Sequence, residues 1–365
     1  MKNISFIADD AQEKDFVKAL KKNVKEYFSS NGISIKSNWK MVVKTIVLLS
    51  LYIAPFIVLL TVPVPAWLAF VLVVLSGFGI AGVGMSVMHD ACHGAYSKKK
   101  WVNDLLSGTN YLLGANSLNW ILQHNVLHHT YTNISGMDED IDEKAIIRLS
   151  ENSPLKKYHR FQHFYAGFLY GLMTLTMLIK DFSKLKEYQE KGLLEGQNKK
   201  MKSEYIKMII RKALYVGVVI ILPILITDYT WYQVLFGFFL SHWVASVILS
   251  FIFQLAHLVE GPEQSEMADV VHNDWYVHQL HTTANFARNN KILGWYVGGL
   301  NFQVEHHLFP SICHIHYPQI APIIEATAKE YGIPYHVNRT LGIALVSHLR
   351  HLRDLGRNQR ISVAG

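Results

Sequence analysis

The chain has 365 residues, half of them hydrophobic, and a mean hydropathy of +0.14, which together exclude an ordinary soluble enzyme of this length. Its formal net charge of +7 suits contact with an anionic lipid surface. Nucleic acid is the other partner that a basic chain attracts, but the lysines here flank apolar runs, so we expect no nucleic acid. Two cysteines, Cys92 and Cys313, predict no disulfide framework.

Residues 1–40 are predicted to form a cytoplasmic N-terminal segment that is too polar for a cleavable signal peptide. Within it, residues 9–30 have the pattern of an amphipathic helix with lysines opposite the apolar face. That face consists of Phe16, Val17, Leu20, Val24, Tyr27 and Phe28. Such a helix lies either on a membrane surface or on the protein's own cytoplasmic domain, and the pattern fits both. We expect the main domain at 41–355 and a tail at 356–365.

Four long runs contain no Asp, Glu, Lys or Arg, at about 45–61, 65–88, 213–227 and 229–259. Each is close to the length that crosses a hydrocarbon core of about 30 Å, so we predict four membrane crossings in two hairpins. The segments outside the two hairpin turns are rich in lysine and arginine. The positive-inside tendency therefore predicts that both termini and the long middle segment are cytoplasmic.

The run at 164–179 is also apolar and nearly long enough to cross. If it crossed, the histidines near residue 306 would lie on the opposite side of the membrane from those near residue 89. A single site built from both needs them on one side. We therefore predict that this run lies at the membrane interface.

Three histidine-rich stretches, far apart along the chain, organise the rest. They are HDACH at 89–93, HNVLHH at 124–129 and QVEHH at 303–307. Residues at i and i+4 share a helix face, so His89 with His93, and His124 with His128, are predicted to point at one place. Neutral imidazole is a common iron ligand, and this many imidazoles suffice for two metal ions. We predict the ligands His89, His93, His124, His128, His129, His306 and His307, with Gln303 in or near the set.

His257 ends the fourth run, as His89 ends the second, and an ionisable residue there predicts a further ligand. His242, inside that run, is expected to be paired within the bundle instead. Carboxylates near the clusters could accept ring N–H groups and so orient the ligands. The candidates for this outer layer are Asp90, Asp138, Asp140 and Glu305, and His281 is a further one.

The three stretches resemble the histidine boxes of membrane fatty-acid desaturases. The segments 301–318 (NFQVEHHLFPSICHIHYP), 128–140 (HHTYTNISGMDED) and 282–286 (TTANF) are similar to bacterial and cyanobacterial delta-6 acyl-lipid desaturases. The resemblance covers about residues 35–355. It implies an all-α integral membrane fold with four transmembrane helices, and a cytoplasmic helical cap that holds a non-haem diiron site. It also implies that His257 is the isolated ligand after the fourth crossing.

As an activity, the resemblance implies that O2 and two electrons desaturate a lipid-linked or CoA-linked acyl chain, held in a narrow channel among the crossings. Gln303 in place of a histidine resembles the front-end group, which inserts a double bond on the carboxyl side of an existing one. The chain has no His-Pro-Gly-Gly motif of a fused cytochrome b5 domain. Electrons are therefore expected from a separate carrier such as ferredoxin or a cytochrome. The implied location is the bacterial inner membrane.

Two other readings stay open. The same scaffold serves sphingoid-base desaturases and acyl hydroxylases, and small shifts in substrate position separate those outcomes. A metal transporter could also use many histidines, but it needs polar groups distributed through the crossings. Here the clusters gather at one side, which favours the enzyme.

Overall fold

The computed structural model describes residues 4–142 and 146–358, and most of them are helical. The helices of the first half are α1 (Ala11–Ser30), α2 (Trp39–Thr61), α3 (Ala66–Gly82), α4 (His89–Cys92), α5 (Lys100–Ser107), α6 (Thr109–Leu112), α7 (Ser117–Trp120), α8 (Gln162–Tyr170) and α9 (Met173–Glu190). Those of the second half are α10 (Leu193–Gly196), α11 (Met201–Val216), α12 (Leu222–Ile226), α13 (Trp231–His257), α14 (Trp275–Thr282), α15 (Lys291–Tyr296), α16 (Gln303–Leu308), α17 (Tyr317–Glu330) and α18 (Leu341–Arg357).

Short non-α segments complete the chain. Three π-helical segments, Val83–Met88, Ile121–His128 and Gly217–Ile221, continue neighbouring helices. Two 3-10 segments lie at Lys157–Phe161 and His314–His316. Strand β1 (Ser5–Phe6) pairs in parallel with β2 (Val270–Val271), and β3 (Ala284–Phe286) pairs in parallel with β4 (His336–Asn338). The all-α prediction is confirmed, since these strands are only two or three residues long.

Four helical stretches are long and apolar enough to cross a membrane: Trp39–Thr61, Ala66–Cys92, Met201–Ile226 and Trp231–His257. They coincide with the four predicted runs. Helix α3 packs closely between α2 and α13 because glycines remove side chains at the contacts. A Cβ at Gly77 would lie 2.7 Å from the carbonyl oxygen of Ser241, and one at Gly79 would overlap the backbone of Tyr52.

The apolar run at 164–179 does not form a fifth span among the described residues, because the chain turns between α8 and α9. At that turn Gly171 lies so close to Trp243 that a Cβ would clash with the indole. The amide and hydroxyl of Thr174 hydrogen-bond with Ser246, and the Thr174 hydroxyl contacts the ring of His242, near the middle of α13. The turn of this helical hairpin therefore packs against the middle of α13 rather than against either of its ends.

The amphipathic face of α1 packs on the protein itself. Phe16, Val17, Leu20, Val24 and Phe28 are buried in a core formed with α17 and α14. Of the two alternatives for this helix, the structure shows packing on the chain's own cap. A second core lies where the crossings meet the cap and includes Leu48, Met85, Leu249 and Phe286.

Candidate metal site

The histidines are placed by helices that depart from α geometry. The π-helical segment Val83–Met88 directly precedes His89, and Ile121–His128 contains His124 and His128. In the second segment the amide of His129 donates to the carbonyl of His124, five residues back, at 3.0 Å. A π turn changes which residues share a face and is frequent at functional sites. Here it brings His124 and His129 together.

One group of imidazoles converges from all three boxes. Ligand atoms of His89, His93, His124 and His306 lie within 4.8 Å of one another. Three of these residues are buried, and His93 is partly buried. The Nε2 atom of His129 lies 3.2 Å from Nε2 of His124 and 2.9 Å from Nε2 of His306, so it joins this group. The predicted alignment of His89 with His93 is therefore confirmed.

A second group consists of His128, His257 and His307, whose ligand atoms also lie within 4.8 Å of one another. All three side chains are buried. The rings of His124 and His128 stack with centroids 5.3 Å apart. Ligand atoms of these two residues and Asp140 also lie within 4.8 Å of one another, so His124 and His128 connect the two groups. The two side chains therefore lie together as their spacing predicts, and the π turn adds His129 as a further neighbour of His124.

The outer nitrogens of the second group are held by hydrogen bonds. The Nδ1–H of His257 donates to the carbonyl of Thr282 at 3.0 Å, and that of His307 donates to Oε1 of Gln279 at 2.9 Å. The Nδ1–H of His128 donates to the carboxylate of Asp138 at 3.0 Å. Because Nδ1 carries the proton in each ring, the Nε2 lone pair is directed at the shared centre.

Electrostatics favour neutral ligands. Burial, and then the neighbouring imidazoles, lower the pKa of five histidines outside the crossings: His93, His124, His129, His306 and His307. His128 differs. Burial lowers its pKa too, but the charges of Asp138 and Asp140 outweigh burial and raise it to about 9. The carboxylates thus make the His128 imidazole the more basic ligand.

The predicted outer-layer residues take different places. Asp138 is fully buried against His128, and Asp140 lies 3.5 Å from the same ring nitrogen. Asp90 is 4.0 Å from His89 but only 2.9 Å from Nδ1 of His314, whose other nitrogen contacts the amine of Lys44 at 2.7 Å.

The carboxylate of Glu305 accepts hydrogen bonds from Tyr335 at 2.5 Å and from Asn285 at 2.9 Å, which anchors α16 to β3 and the segment after α17. Desolvation on burial raises its pKa to about 7, although both hydrogen bonds oppose the shift. His281 lies outside both histidine groups of the described residues and pairs with Glu263 at 3.2 Å where both side chains are partly exposed. His242, expected to be paired, contacts Thr174 and Tyr215.

The residues fit a pair of metal ions on three observations. The Nε2 atoms of His93 and His307 are buried and have no hydrogen-bond partner in the described part of the chain. Three further Nε2 atoms, of His124, His129 and His306, crowd one centre, where lone pairs of neutral rings repel unless a cation or a proton lies between them. The buried side-chain nitrogen of Gln303 also lacks a partner within 4–142 and 146–358, so the amide is free to adjust to a ligand.

Several contributors carry no signal in the spacing of histidines. The carbonyl of Thr282 and the amide of Gln279 come from a stretch whose notable residues were His278 and His281. Trp120 covers the site with its ring centroid 4.5 Å from that of His124, and Phe253 lies 6.0 Å from the same ring. Backbone acceptors and apolar covers are ordinary residues locally, and only the tertiary structure assigns them.

One cavity lies among the crossings, but its lining does not include the candidate metal site. A cavity of about 490 Å³ opens between α2, α3, α11 and α13, with Phe56, Phe70 and Leu240 among its apolar lining. None of the histidines described above lines it. The cavity lies away from the candidate metal centre and is not assigned to the reaction.

Comparison with known proteins identifies the family. A fatty acid desaturase profile matches residues 65–339. The sn-1 linoleoyl-lipid 6-desaturase of Arthrospira platensis is 34% identical over 94% of this chain and 93% of its own length. The enzyme of the same name from Synechocystis is 32% identical over 95% and 97%. The acyl-lipid (8-3)-desaturase of Physcomitrium patens is 34% identical over 95% of this chain and 73% of its own.

These matches span the crossings and all three histidine boxes. The predicted resemblance is confirmed, and the oxidoreductase class with it. The family profile, the four apolar helices and the converging histidines all support the same conclusion. The chain belongs to the fatty acid desaturase family of membrane enzymes.

Proposed function

We propose that the chain is a front-end desaturase that introduces a cis double bond at carbon 6 of a lipid-linked C18 acyl chain that already carries one. The observation that carries this is the QVEHH box, with Gln303 beside the buried ligands His306 and His307, in a chain whose near-full-length relatives are named 6-desaturases. Those relatives act on acyl lipids by name, which favours a lipid over CoA as the carrier.

The ligands that we propose for two iron ions are His89, His93, His124, His128, His129, His257, His306 and His307, with Gln303 beside them. When bound, the iron pair supplies activation of O2 with two electrons, which oxidises two adjacent methylenes. The chain's own part is to hold the imidazoles in the orientation that binding requires. Asp138, Thr282 and Gln279 do so through the Nδ1–H groups described above.

The acyl chain must approach through an apolar environment. Trp120 and Phe253 lie against the ring of His124 and exclude water from that side. We infer that a methylene pair packs against these rings, and that the distance from the head-group contacts selects which carbons react. Asp140 and Asp90 are further positioning groups in this proposal.

We place the site on the cytoplasmic side of the inner membrane of a bacterium. The lysine-rich segments between and after the hairpins support this orientation. A cytoplasmic site can receive electrons from a soluble carrier, either a ferredoxin or a small cytochrome.

The test is expression in a bacterial host that supplies a reduced ferredoxin, with linoleate feeding. We expect a new double bond at carbon 6, located by mass spectrometry, in the complex lipids rather than the CoA pool. The His128→Ala variant should form no product, while His272→Ala, at an exposed histidine that pairs with Asp9, should match the parent. A bond on the methyl side of the existing one would refute the front-end assignment. A hydroxylated chain would instead place the protein with the hydroxylases.

A further inference from the structure

Helix α1 presents a stripe of positive charge to solvent. Lys14, Lys18, Lys21 and Lys25 recur at helical spacing, so they share one face, and all four side chains are exposed. None of them forms an ion pair within the described residues. Two exposed acidic residues, Asp15 and Glu26, lie on the same helix. Each follows a lysine of the stripe by one residue, so its side chain points about 100° away from that stripe.

The apolar face of α1 is already used. Its large apolar side chains are buried on α17, and none of the exposed large hydrophobic side chains belongs to this helix. A helix that lies in a membrane interface needs an apolar face to insert. The basic stripe of α1 is therefore suited to a soluble, acidic partner rather than to lipid.

The stripe continues into an aromatic pair on α14. The amine of Lys21 lies 4.4 Å from the ring centroid of Tyr276, and the carboxylate of Glu13 accepts from the amide of Asp274 at 2.8 Å. The rings of Tyr276 and Trp275 meet edge-on with centroids 4.9 Å apart. Both aromatic residues are partly exposed, so they are within reach of a bound partner.

Trp275 in turn contacts the candidate metal site through a hydrogen bond. Its indole Nε1–H donates to the carbonyl oxygen of His129 at 3.2 Å. The Nε2 atom of His129 in turn lies 3.2 Å from Nε2 of His124 and 2.9 Å from Nε2 of His306, two further proposed ligands. The partly exposed indole of Trp275 is therefore connected to the buried histidines by a single hydrogen bond and the residue His129. Covalent and hydrogen-bonded paths carry electrons better than gaps of equal length.

We propose that the lysine stripe of α1 is the docking surface for a small acidic one-electron carrier, and that electrons enter through Trp275 and His129. This rests on the proposed function, because only an O2-consuming reaction needs the electrons. Each reduced carrier gives up one electron and leaves oxidised. For each double bond, two electrons, two protons and one O2 are consumed, the acyl chain loses two hydrogens, and two waters form.

The docking half is tested by binding, without turnover. The probe is a reduced plant-type ferredoxin with a [2Fe–2S] cluster, and the protein is held in phosphatidylcholine nanodiscs. The variant Lys14→Glu/Lys18→Glu/Lys21→Glu should weaken carrier binding at least tenfold at low salt, and parental binding should itself weaken as salt rises. The matched control Lys199→Glu/Lys200→Glu/Lys202→Glu carries the same change in charge and should shift binding less than twofold. Carbodiimide cross-links should map to the α1 lysines.

Equal weakening by both triple variants, or cross-links confined to other lysines, would overturn the docking surface. The same measurements in nanodiscs with anionic phosphatidylglycerol separate a lipid role. An effect of the α1 charges that appears only with anionic lipid would assign the stripe to the membrane surface and refute the proposal.

The entry half is tested with Trp275→Phe, which keeps an aromatic ring but loses the N–H donor, and Trp275→Leu, which loses both. Carrier-driven reduction, followed by stopped-flow absorbance of the ferredoxin, should slow at least tenfold relative to reduction of the same variant by dithionite. An unchanged ratio in Trp275→Leu would refute the route. If dithionite-reduced parent enzyme forms no double bond in a single turnover, the proposed function fails instead, whatever the carrier measurements give.

Discussion

Asp138→Asn is the substitution that best tests how the second histidine group is built. The carboxylate of Asp138 is fully buried and accepts from three donors: Nδ1 of His128 at 3.0 Å, the amide of Asn133 at 2.9 Å and the amide of Asp140 at 3.0 Å. An asparagine amide has one oxygen and one NH2 group. At least one donor must then face another donor, and the cheapest relief is for the His128 ring to move its proton to Nε2. In that tautomer Nε2 has no lone pair to offer to a metal ion at the shared centre.

The size of the effect follows from the contacts. Loss of an outer-layer partner of a metal-binding histidine costs about 10- to 100-fold in metal affinity, which corresponds to about 1.4–2.7 kcal/mol. A buried amide left without an acceptor costs about 1–3 kcal/mol of folding free energy. We therefore expect weaker iron binding together with a modest loss of stability, and a pKa of His128 that falls as the negative charge is removed.

The assay is iron binding to the apo-protein in competition with a chelator at pH 7, with thermal unfolding measured in parallel. Asp140→Asn is the matched control, because this carboxylate is 3.5 Å from the same ring nitrogen and 27% exposed. We expect it to change iron affinity less than threefold. Iron affinity of Asp138→Asn within twofold of the parent, in protein that remains folded, would show that the carboxylate does not set the His128 tautomer.

Three further predictions concern stability. Asp181→Ala removes the carboxylate that lies 2.7 Å from the buried amine of Lys212. The free energy of unfolding in detergent should fall by about 3–5 kcal/mol, because a buried charge is left unpaired. A decrease below about 1 kcal/mol would contradict this. The double variant Asp181→Leu/Lys212→Met should recover most of that loss, as measured by the same melts, because no buried charge remains unpaired. Burial, and then His348, lowers the pKa of His351 to about 3. The pKa of the same histidine in the unfolded chain is about 6.5. The unfolded state therefore binds a proton more readily, and the free energy of unfolding should fall by about 2 kcal/mol between pH 6.5 and pH 5. His351→Leu should flatten that part of the stability–pH curve, and an unchanged curve would refute the assignment.

The four crossings were predictable from sequence because the signal for each is local. A long run without charges has few structural solutions, and each of the four runs falls in a helix long and apolar enough to cross a membrane. The third helix begins at Met201, well before the charge-free run at 213–227. The counting argument also excluded a crossing at 164–179. Where that segment turns against α13 was not predictable, since the turn depends on a close contact between Gly171 and Trp243, which are distant in sequence.

That the histidines of the three boxes come together was predictable, but the place of His129 beside His124 was not. Spacing at i and i+4 assumes α geometry, and it predicts that His124 and His128 act together. In the structure that pair stays together, and the π turn at Ile121–His128 adds a neighbour five residues from His124, because Nε2 of His129 lies 3.2 Å from its Nε2. Nothing in residues 121–128 marks such a turn by composition.

The position of His257 illustrates how the crossings and the cap depend on one another. This proposed ligand ends α13, and its outer nitrogen donates to the carbonyl of Thr282, which ends α14 in the cap. Asn133 lies just after the second box, and its side-chain amide also donates to the carbonyl of Thr282. The same amide donates to the carbonyl of His257 at 3.2 Å. One asparagine thus ties the end of a crossing to the segment that follows His128 and His129. Because the ligands of the second group come from a crossing, a box and the cap, that group is complete only when all three have folded together. Metal binding then stabilises the whole assembly rather than one element, since it favours the state in which every ligand is in place.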